Sequence, residues 1–414
     1  MKKITIAILL SLSLPIVVRA QDYRMTNIGS LGGPAVGYSL TSTAEVLGES
    51  ENYPGSDPHA FQWSRQWGMV DLDAAVGQHL NTCDLMPCEG KNVHQAFVGS
   101  FGESTTSHAF IVAAGLQDLG TLGGNTSVAI GINDALEVVG GADLSSGLRH
   151  AFLWSWVGSE MQDLDPDSEY GSYGVAINSL HQIAGVRDHG QGVAVVFLWT
   201  PDAGLQELGF QGRPYSINDN GEMVGRLDPV GHAFYWSKGT GLVDLGTLPG
   251  HSYSEAVGIN SQGQVVGTST SSAECIPFIW TVTSGMKVLQ PLNGRWYSAA
   301  INDDGQVLVN HFSGRGHSAT KLLTPIMYVT LASSPNPSKV GELVTFTATV
   351  TSVKWPLSGV IRFRIDNKRY DVGLTGGQAV LTTDTLSQGT HTVTAQSLGY
   401  IKSMSNTVQQ IVNP

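Results

Sequence analysis

An asparagine opening a tight turn recurs at Asn133, Asn178, Asn218, Asn260 and Asn302, and the gaps between successive copies are 45, 40, 42 and 42 residues. Such a period constrains the fold more than any single motif does, because each unit must be one supersecondary element that hides its apolar faces against copies of itself. Tyr215 to Gly250 shows the unit most clearly. Tyr215-Ser216-Ile217 runs into Asn218-Asp219-Asn220-Gly221, a hairpin turn whose glycine can take positive φ. Met223-Val224-Gly225, then His232-Ala233-Phe234-Tyr235-Trp236, then Leu242-Val243-Asp244-Leu245 follow, each bounded by turn residues. Four short β-favouring segments joined by turns predict one small antiparallel sheet per repeat.

The third segment recurs as His59-Ala60-Phe61, His108-Ala109-Phe110, His150-Ala151-Phe152 and His232-Ala233-Phe234, with degenerate copies at Phe197, Phe278 and His317. Seven third strands, spaced by about 42 residues with four strands per unit, predict a seven-bladed β-propeller. Fourth strands near Thr26, Asp71, Asp118, Asp163, Glu207, Asp244 and Leu289 also number seven. Tyr23 to Gly33 reads as a fourth strand with no beginning, and Tyr297 to Thr324 as three strands without a fourth. The N-terminal strand is therefore expected to complete the last blade and close the ring, which removes the open sheet edges. The second unit is irregular: Ala75-Val76-Gly77 resembles a first strand, followed by an insertion at Asn81 to Asn92.

Met1 to Ala20 carries Lys2 and Lys3, an apolar run from Ile4 to Leu14 and a small-residue cleavage pattern at Val18-Arg19-Ala20, as expected of a secretory signal. That run is too short to span a bilayer. No later transmembrane stretch is found, so a secreted protein (periplasmic, surface-bound or released) is expected. Fifty glycines suit a chain of tight turns. From Gln21 to Pro325 there are 12 Lys and Arg against 30 Asp and Glu, so this part repels phosphate backbones and nucleic acid is excluded as a partner. In an oxidising compartment Cys83 and Cys88 are expected to close a small loop as a disulfide, leaving Cys275 unpaired.

The His-Ala-Phe tripeptide, the Gly-Ile-Asn turn and Asp-Leu-Gly-Thr-Leu-Gly-Gly resemble the HAF family of extracellular repeat proteins over roughly residues 26 to 325. The resemblance implies secretion and a repeat scaffold, and brings no catalytic residues with it. From Thr330 the chain changes style. Gly341 to Val350 alternates like a strand buried on one face, and the segment resembles a bacterial immunoglobulin-like module without cysteines. The expected division is a signal peptide at 1–20, a propeller at 21–325 and an immunoglobulin-like β-sandwich at 326–414, so the fold class is all-β.

No GxSxG, HExxH or phosphate-cradling GxxxxGK motif occurs, and nothing calls for a cofactor or metal. The His-Ala-Phe histidines, one per sheet, are expected to hydrogen-bond a neighbouring turn. Asp163 to Glu169 lacks the glycine and glutamate of an EF-hand loop. Trp63, Trp154, Trp199, Trp236 and Trp280 end third strands and are expected to pack between blades.

Tyr173, Tyr215, Tyr253 and Tyr297 precede their turn asparagines by odd offsets, so in unbroken strands they share one face. First strands line a propeller's channel, and Arg213, His251, Arg295 and Trp296 lie in the same connections. These eight residues are the expected ligand-binding set, suited to a sugar or an extended peptide. The leading expectation is a non-catalytic binding or adhesion protein for a glycan or surface partner, with the C-terminal module as spacer. The alternatives are a glycan-active enzyme, for which Glu255 is the one first-strand acid and a pair is needed, and a structural envelope component.

Overall fold

The computed structural model describes residues 23–77, 79–80, 96–102, 105–289, 292, 294–313, 316–352, 359–398 and 403–414. The proposed signal segment and the Cys83–Cys88 pair lie outside the described residues. Among the described residues, every element apart from one short helix is a strand. Among the described residues no helix is long and apolar enough to cross a membrane.

Between Tyr23 and Pro325 the chain forms successive antiparallel sheets, each following the order of the repeat. One sheet pairs Ala35–Leu40, Val46–Glu51, Pro58–Ser64 and Gly68–Asp71, and others start at Gly123, Gly171 and Tyr253. A 14-residue strand, Gly204–Ile217, serves as the outer strand of one sheet and the inner strand of the next, so two repeats merge into a seven-stranded sheet. In the second repeat the described strands are Phe97–Phe101, His108–Val112 and Leu116–Gly120. Ala75 and Val76 do not form the first strand expected there. They lie in a helix, Leu72–Val76, because the Asp71 carboxylate caps it by accepting from the Ala74 N–H at 3.0 Å, and Gly77 ends it at φ +75°.

Tyr23–Asn27 pairs with Gly316–Pro325, Tyr23 opposite Pro325 and Asn27 opposite Lys321, and supplies the fourth strand of the sheet that starts at Arg295. That last sheet also packs on the first, for Ala35–Leu40 adjoins Arg295–Ile301, Val307–Ser313 and Gly316–Pro325. The inner strands touch one another in succession, from Gly123–Ile132 through Gly171–Ile177, Gly204–Ile217 and Tyr253–Ile259 to Arg295–Ile301 and back to Ala35–Leu40. The arrangement is propeller-like.

The repeat's residues explain why each sheet forms and why it docks on the next. Each turn asparagine folds its own hairpin: Asn218 Oδ1 accepts from the N–H groups of Asn220 and Glu222 at 3.1 and 3.0 Å. The Nδ2 of the same residue donates to the Asn260 carbonyl of the following sheet at 2.9 Å. The donation repeats from Asn133 to Asn178 (3.1 Å), Asn178 to Asn218 (2.9 Å), Asn260 to Asn302 (3.1 Å) and Asn302 to Thr41 (3.0 Å), where it reaches the first sheet. One residue type thus satisfies the buried polar groups both within a turn and between sheets.

The His-Ala-Phe tripeptide acts on the outer side. His59, His108, His150 and His232 bond through Nδ1 to Asp71, Asp118, Asp163 and Asp244 at 2.9–3.1 Å. The partner is the fourth-strand aspartate of the same sheet, not a neighbouring turn. The phenylalanine goes inward and is fully buried at positions 61, 110, 152, 197, 234 and 278. It lies over a second-strand glycine. A Cβ on Gly225 would stand 2.1 Å from the Arg213 carbonyl and 2.7 Å from the Phe234 ring. Gly48, Gly140, Gly185 and Gly267 are hemmed in the same way by a first-strand carbonyl and a third-strand phenylalanine. These glycines are required by space, since their φ angles are ordinary. Trp63, Trp154 and Trp199 join the cores between sheets.

The C-terminal strands form two sheets of their own. One joins Met327–Ser334, Val344–Ser352 and Gln378–Thr383, and the other joins Ser338–Lys339, Val408–Asn413, Gly389–Leu398, Val360–Ile365 and Lys368–Gly373. Their inner faces bury Val329, Leu331, Phe346, Ala348, Ile361, Phe363, Val393 and Ala395. This is the alternation expected of a two-sheet sandwich.

Candidate ligand-binding site on the inner strands

Most inner strands carry a one-residue bulge, and the bulge changes which side chains share a face along the strand. The register slips between Gly37 and Ser39, Gly174 and Ala176, Pro214 and Ser216, Ala256 and Gly258, and Ser298 and Ala300. Two residues before the bulge stand Val36, Tyr173, Arg213, Glu255 and Tyr297, all half-buried, flanked in sequence by fully buried residues. They form one course on the inner face. Tyr253 belongs to the next course outward, whereas Tyr215 is itself a bulge residue and only 5% exposed. The shared face expected for all four tyrosines therefore holds for Tyr173, Tyr253 and Tyr297. The bulge removes Tyr215 from it.

Four successive repeats contribute to one polar cluster. Arg213 and Arg226 stand directly opposite one another on paired strands. Arg226 donates to the Tyr253 hydroxyl at 2.7 Å, and that hydroxyl donates to Glu255 Oε2 at 3.1 Å. On its other side Arg226 donates through Nε and a terminal nitrogen to Asp228 Oδ1, at 3.3 and 3.1 Å. The guanidinium also lies over the Tyr253 ring, 5.7 Å from its centroid. Arg213, 42% exposed, reaches only to 3.9 Å from Asp228 Oδ2. Tyr297 accepts the Cys275 thiol at 3.0 Å.

Burial sets the electrostatics. It pushes the Glu255 carboxyl above the usual carboxylate range, against the opposing pull of Tyr253 and Arg226. Burial, then the Glu255 charge, raises the hydroxyls of Tyr215 and Tyr253. Burial also raises Tyr173, opposed by the nearby Arg213 charge, and pushes Tyr297 up to about 12 with the Cys275 contact adding to it. Burial disfavours the Arg226 cation, but Tyr253, Tyr215 and Asp228 outweigh it and hold the group charged. All these tyrosines are neutral donors near neutral pH. The arrangement is a set of oriented hydrogen-bond donors and acceptors, and it does not present open aromatic platforms.

The remaining expected residues go elsewhere. Trp296 is 5% exposed and packs in the core beside His311 (ring centroids 4.8 Å apart), with Lys321 Nζ 4.7 Å from its centroid. Alternation along the strand turns it away from Tyr297, so it is not a surface contact. The His251 side chain is 4% exposed, with Nε2 3.5 Å from Glu274 Oε1. Arg295 is exposed and donates to the Ser272 carbonyl at 3.2 Å. Both tie down the Ser271–Glu274 turn, although the Arg295 charge still bears on Tyr297. The contribution of Arg226 was missed from sequence. Its signal was a basic residue directly after the second-strand glycine, where the other repeats show Glu49, Ser100, Gly141, Val186 and Thr268. Toward the turn asparagines the inner strands enclose a separate cavity of about 250 Å3, lined by Ile132, Ile177, Ile217, Ile259 and Ile301 and by the turn residues. Among the described residues no group of three or more His, Cys, Asp or Glu could hold a metal ion.

No curated protein matches the chain. Among solved structures, it is similar to a prolyl endopeptidase at a TM-score of 0.50 and 9% identity, covering 78% of this chain and 55% of that one. It is also similar to the extracellular domain of a hybrid two-component system from B. thetaiotaomicron (TM-score 0.45, 11% identity, 95% of this chain and 58% of that one). A third is virginiamycin B lyase from Staphylococcus aureus (TM-score 0.45, 11% identity, 73% of this chain and 99% of that one). The chain thus spans a little over half of the first two proteins, and at these identities the likeness is one of fold alone. Residues 331–413 match the family model described as bacterial Ig-like domain (group 3), and that is the family to which the C-terminal part of the chain belongs.

Proposed function

We propose that the protein is a secreted, non-catalytic binding protein. Residues 21–325, of the HAF type by their repeats, form a seven-bladed propeller closed by Tyr23–Asn27. Its axial entrance recognises a glycan, and residues 326–414 serve as a spacer. The observation that carries this reading is the placement of Tyr173, Arg213, Tyr253, Glu255 and Tyr297 on the inner strands of four successive repeats. A few convergent polar groups on a pre-formed scaffold are what orient a small polar ligand. The pairing of Tyr23–Asn27 with Gly316–Pro325 supports closure. Residues 1–20 read as an export signal, which accords with an extracellular or periplasmic role.

A glycan-active enzyme is the second reading, favoured by the buried Glu255 carboxyl whose proton affinity is raised as in a general acid. Hydrolysis by acid and base requires a second carboxylate free to act. Asp228 is committed to Arg226, so the binding reading ranks first.

The test is a glycan array probed with the secreted protein, with Tyr253→Ala as the site variant and Trp296→Ala as the core control, both checked by circular dichroism. Glycan binding abolished by a folded Tyr253→Ala supports the reading. Equal binding by wild type and Tyr253→Ala removes the entrance as the site. Absence of any glycan signal turns the assignment toward a surface protein or a structural role.

A further inference from the structure

The two arginines of the entrance stand in direct cross-strand register, Arg213 opposite Arg226, so they share one face of the sheet. Like charges so placed repel unless an anion lies between them. The protein supplies one, Asp228, but binds it unequally: Arg226 takes it in two hydrogen bonds of 3.1 and 3.3 Å, while Arg213 stops at 3.9 Å. Arg226 is further consumed by Tyr253. Arg213 donates no side-chain hydrogen bond to any described residue, and its Nε is sealed from solvent without an acceptor.

One neighbour is in the same condition. Arg213 shares its course with Tyr173 of the preceding repeat, whose hydroxyl lies within the fields of Arg213, Asp188 and Asp228. That hydroxyl hydrogen-bonds no other described residue, in contrast to those of Tyr253 and Tyr297, which are both engaged. The entrance therefore divides into a satisfied half, Asp228–Arg226–Tyr253–Glu255, and a half in which the Arg213 guanidinium and the Tyr173 hydroxyl donate to no described side chain. A guanidinium and a phenol without a hydrogen-bonded protein acceptor suit an oxyanion. A guanidinium fork matches the planar two-oxygen geometry of a carboxylate.

Resting on the glycan-binding reading above, we propose that Arg213, with Tyr173, holds the carboxylate of an acidic sugar, so that the ligand is a uronate-containing glycan. The satisfied half then meets the neutral hydroxyls of the same or the adjoining sugar through Tyr253 and Glu255. The acidity of residues 21–325 as a whole does not oppose this, because a paired contact in a partly desolvated recess is screened far less than the charges of the outer surface.

The experiment is calorimetric titration of the full secreted chain with trigalacturonate, with neutral galactotriose, and with a short acidic peptide. Wild type, Arg213→Gln and Arg213→Lys are compared. Expected are trigalacturonate binding that weakens with added salt, a loss of about tenfold or more in Arg213→Gln, and a partial recovery in Arg213→Lys, which keeps the charge but not the fork. The salt dependence of the wild type serves as evidence even where a variant folds poorly. Trigalacturonate bound no better than galactotriose, or bound equally by folded Arg213→Gln, overturns the proposal. If neutral sugar binds and Tyr253→Ala abolishes it while Arg213→Gln does not, the glycan reading stands and only the acidic class falls. Binding of the acidic peptide alone overturns both.

Discussion

Asn302 should be the asparagine whose loss is felt most widely, because its side chain joins the last sheet to the first. Its Nδ2 donates to the Thr41 carbonyl at 3.0 Å and to Gln306 Oε1 at 2.8 Å, and its Oδ1 accepts the Gln306 N–H at 2.9 Å, all in buried surroundings. Alanine removes three hydrogen bonds, each worth about 1 kcal/mol net, and strands buried partners at about 1–3 kcal/mol apiece where water cannot reach them. A destabilisation of about 3 kcal/mol is expected. The isosteric Asn302→Asp is the sharper probe. It keeps Oδ1 for the Gln306 N–H but sets a carboxylate oxygen against two acceptors, so it should cost at least as much as alanine despite its unchanged shape. Urea unfolding followed by tryptophan fluorescence reports on this region, since eight of the nine tryptophans lie between Trp63 and Trp296. Asn302→Asp within about 0.5 kcal/mol of wild type would refute the assignment of the latch to the amide donor.

Gly225→Ala should destabilise by about 3 kcal/mol or more in the same assay, because the added methyl meets the Arg213 backbone oxygen at 2.1 Å and backbone yields little. A midpoint like that of wild type would contradict the packing account. His150→Ala should cost about 2 kcal/mol, as the ring is buried against Asp163, whereas His232→Ala should cost under about 1 kcal/mol because that pair is open to solvent. Equal losses would argue against burial as the deciding factor. Glu255 supplies a pH test. Its folded pKa lies above the unfolded value, so its contribution is fully present below about pH 4 and is lost as pH rises through the folded value. Glu255→Gln should thus gain stability over wild type at pH 7 and none at pH 3.5, and a gain of the same size at both would sink the argument.

Much of this was readable before any coordinates. The turn asparagines and the His-Ala-Phe strands mark the units because the same local chemistry is written out again and again. Tyr23 to Gly33 reads as a displaced fourth strand because it matches the tails at Gly115 to Gly124 and Gly241 to Gly250. The outer histidines are legible as hydrogen-bonding residues of each unit, but their partner, the fourth-strand aspartate across the sheet, is fixed by strand pairing. Ala75 and Val76 imitate a strand, and the cap at Asp71 makes them a helix.

The recurring segments determine an all-β chain of docked small sheets followed by a second, cysteine-free sandwich. Which inner-strand residues meet is a tertiary decision. A strand alternates its faces with a period of two, so the single extra residue of each bulge reassigns the side chains beyond it. That is why Tyr215 is buried among its neighbours while Arg213 faces inward. The opposition of Arg213 to Arg226, and the reach of Tyr253 from the next sheet to Arg226, depend on strand register and sheet docking. Both are set by contacts between residues far apart in the chain, and no local pattern records them.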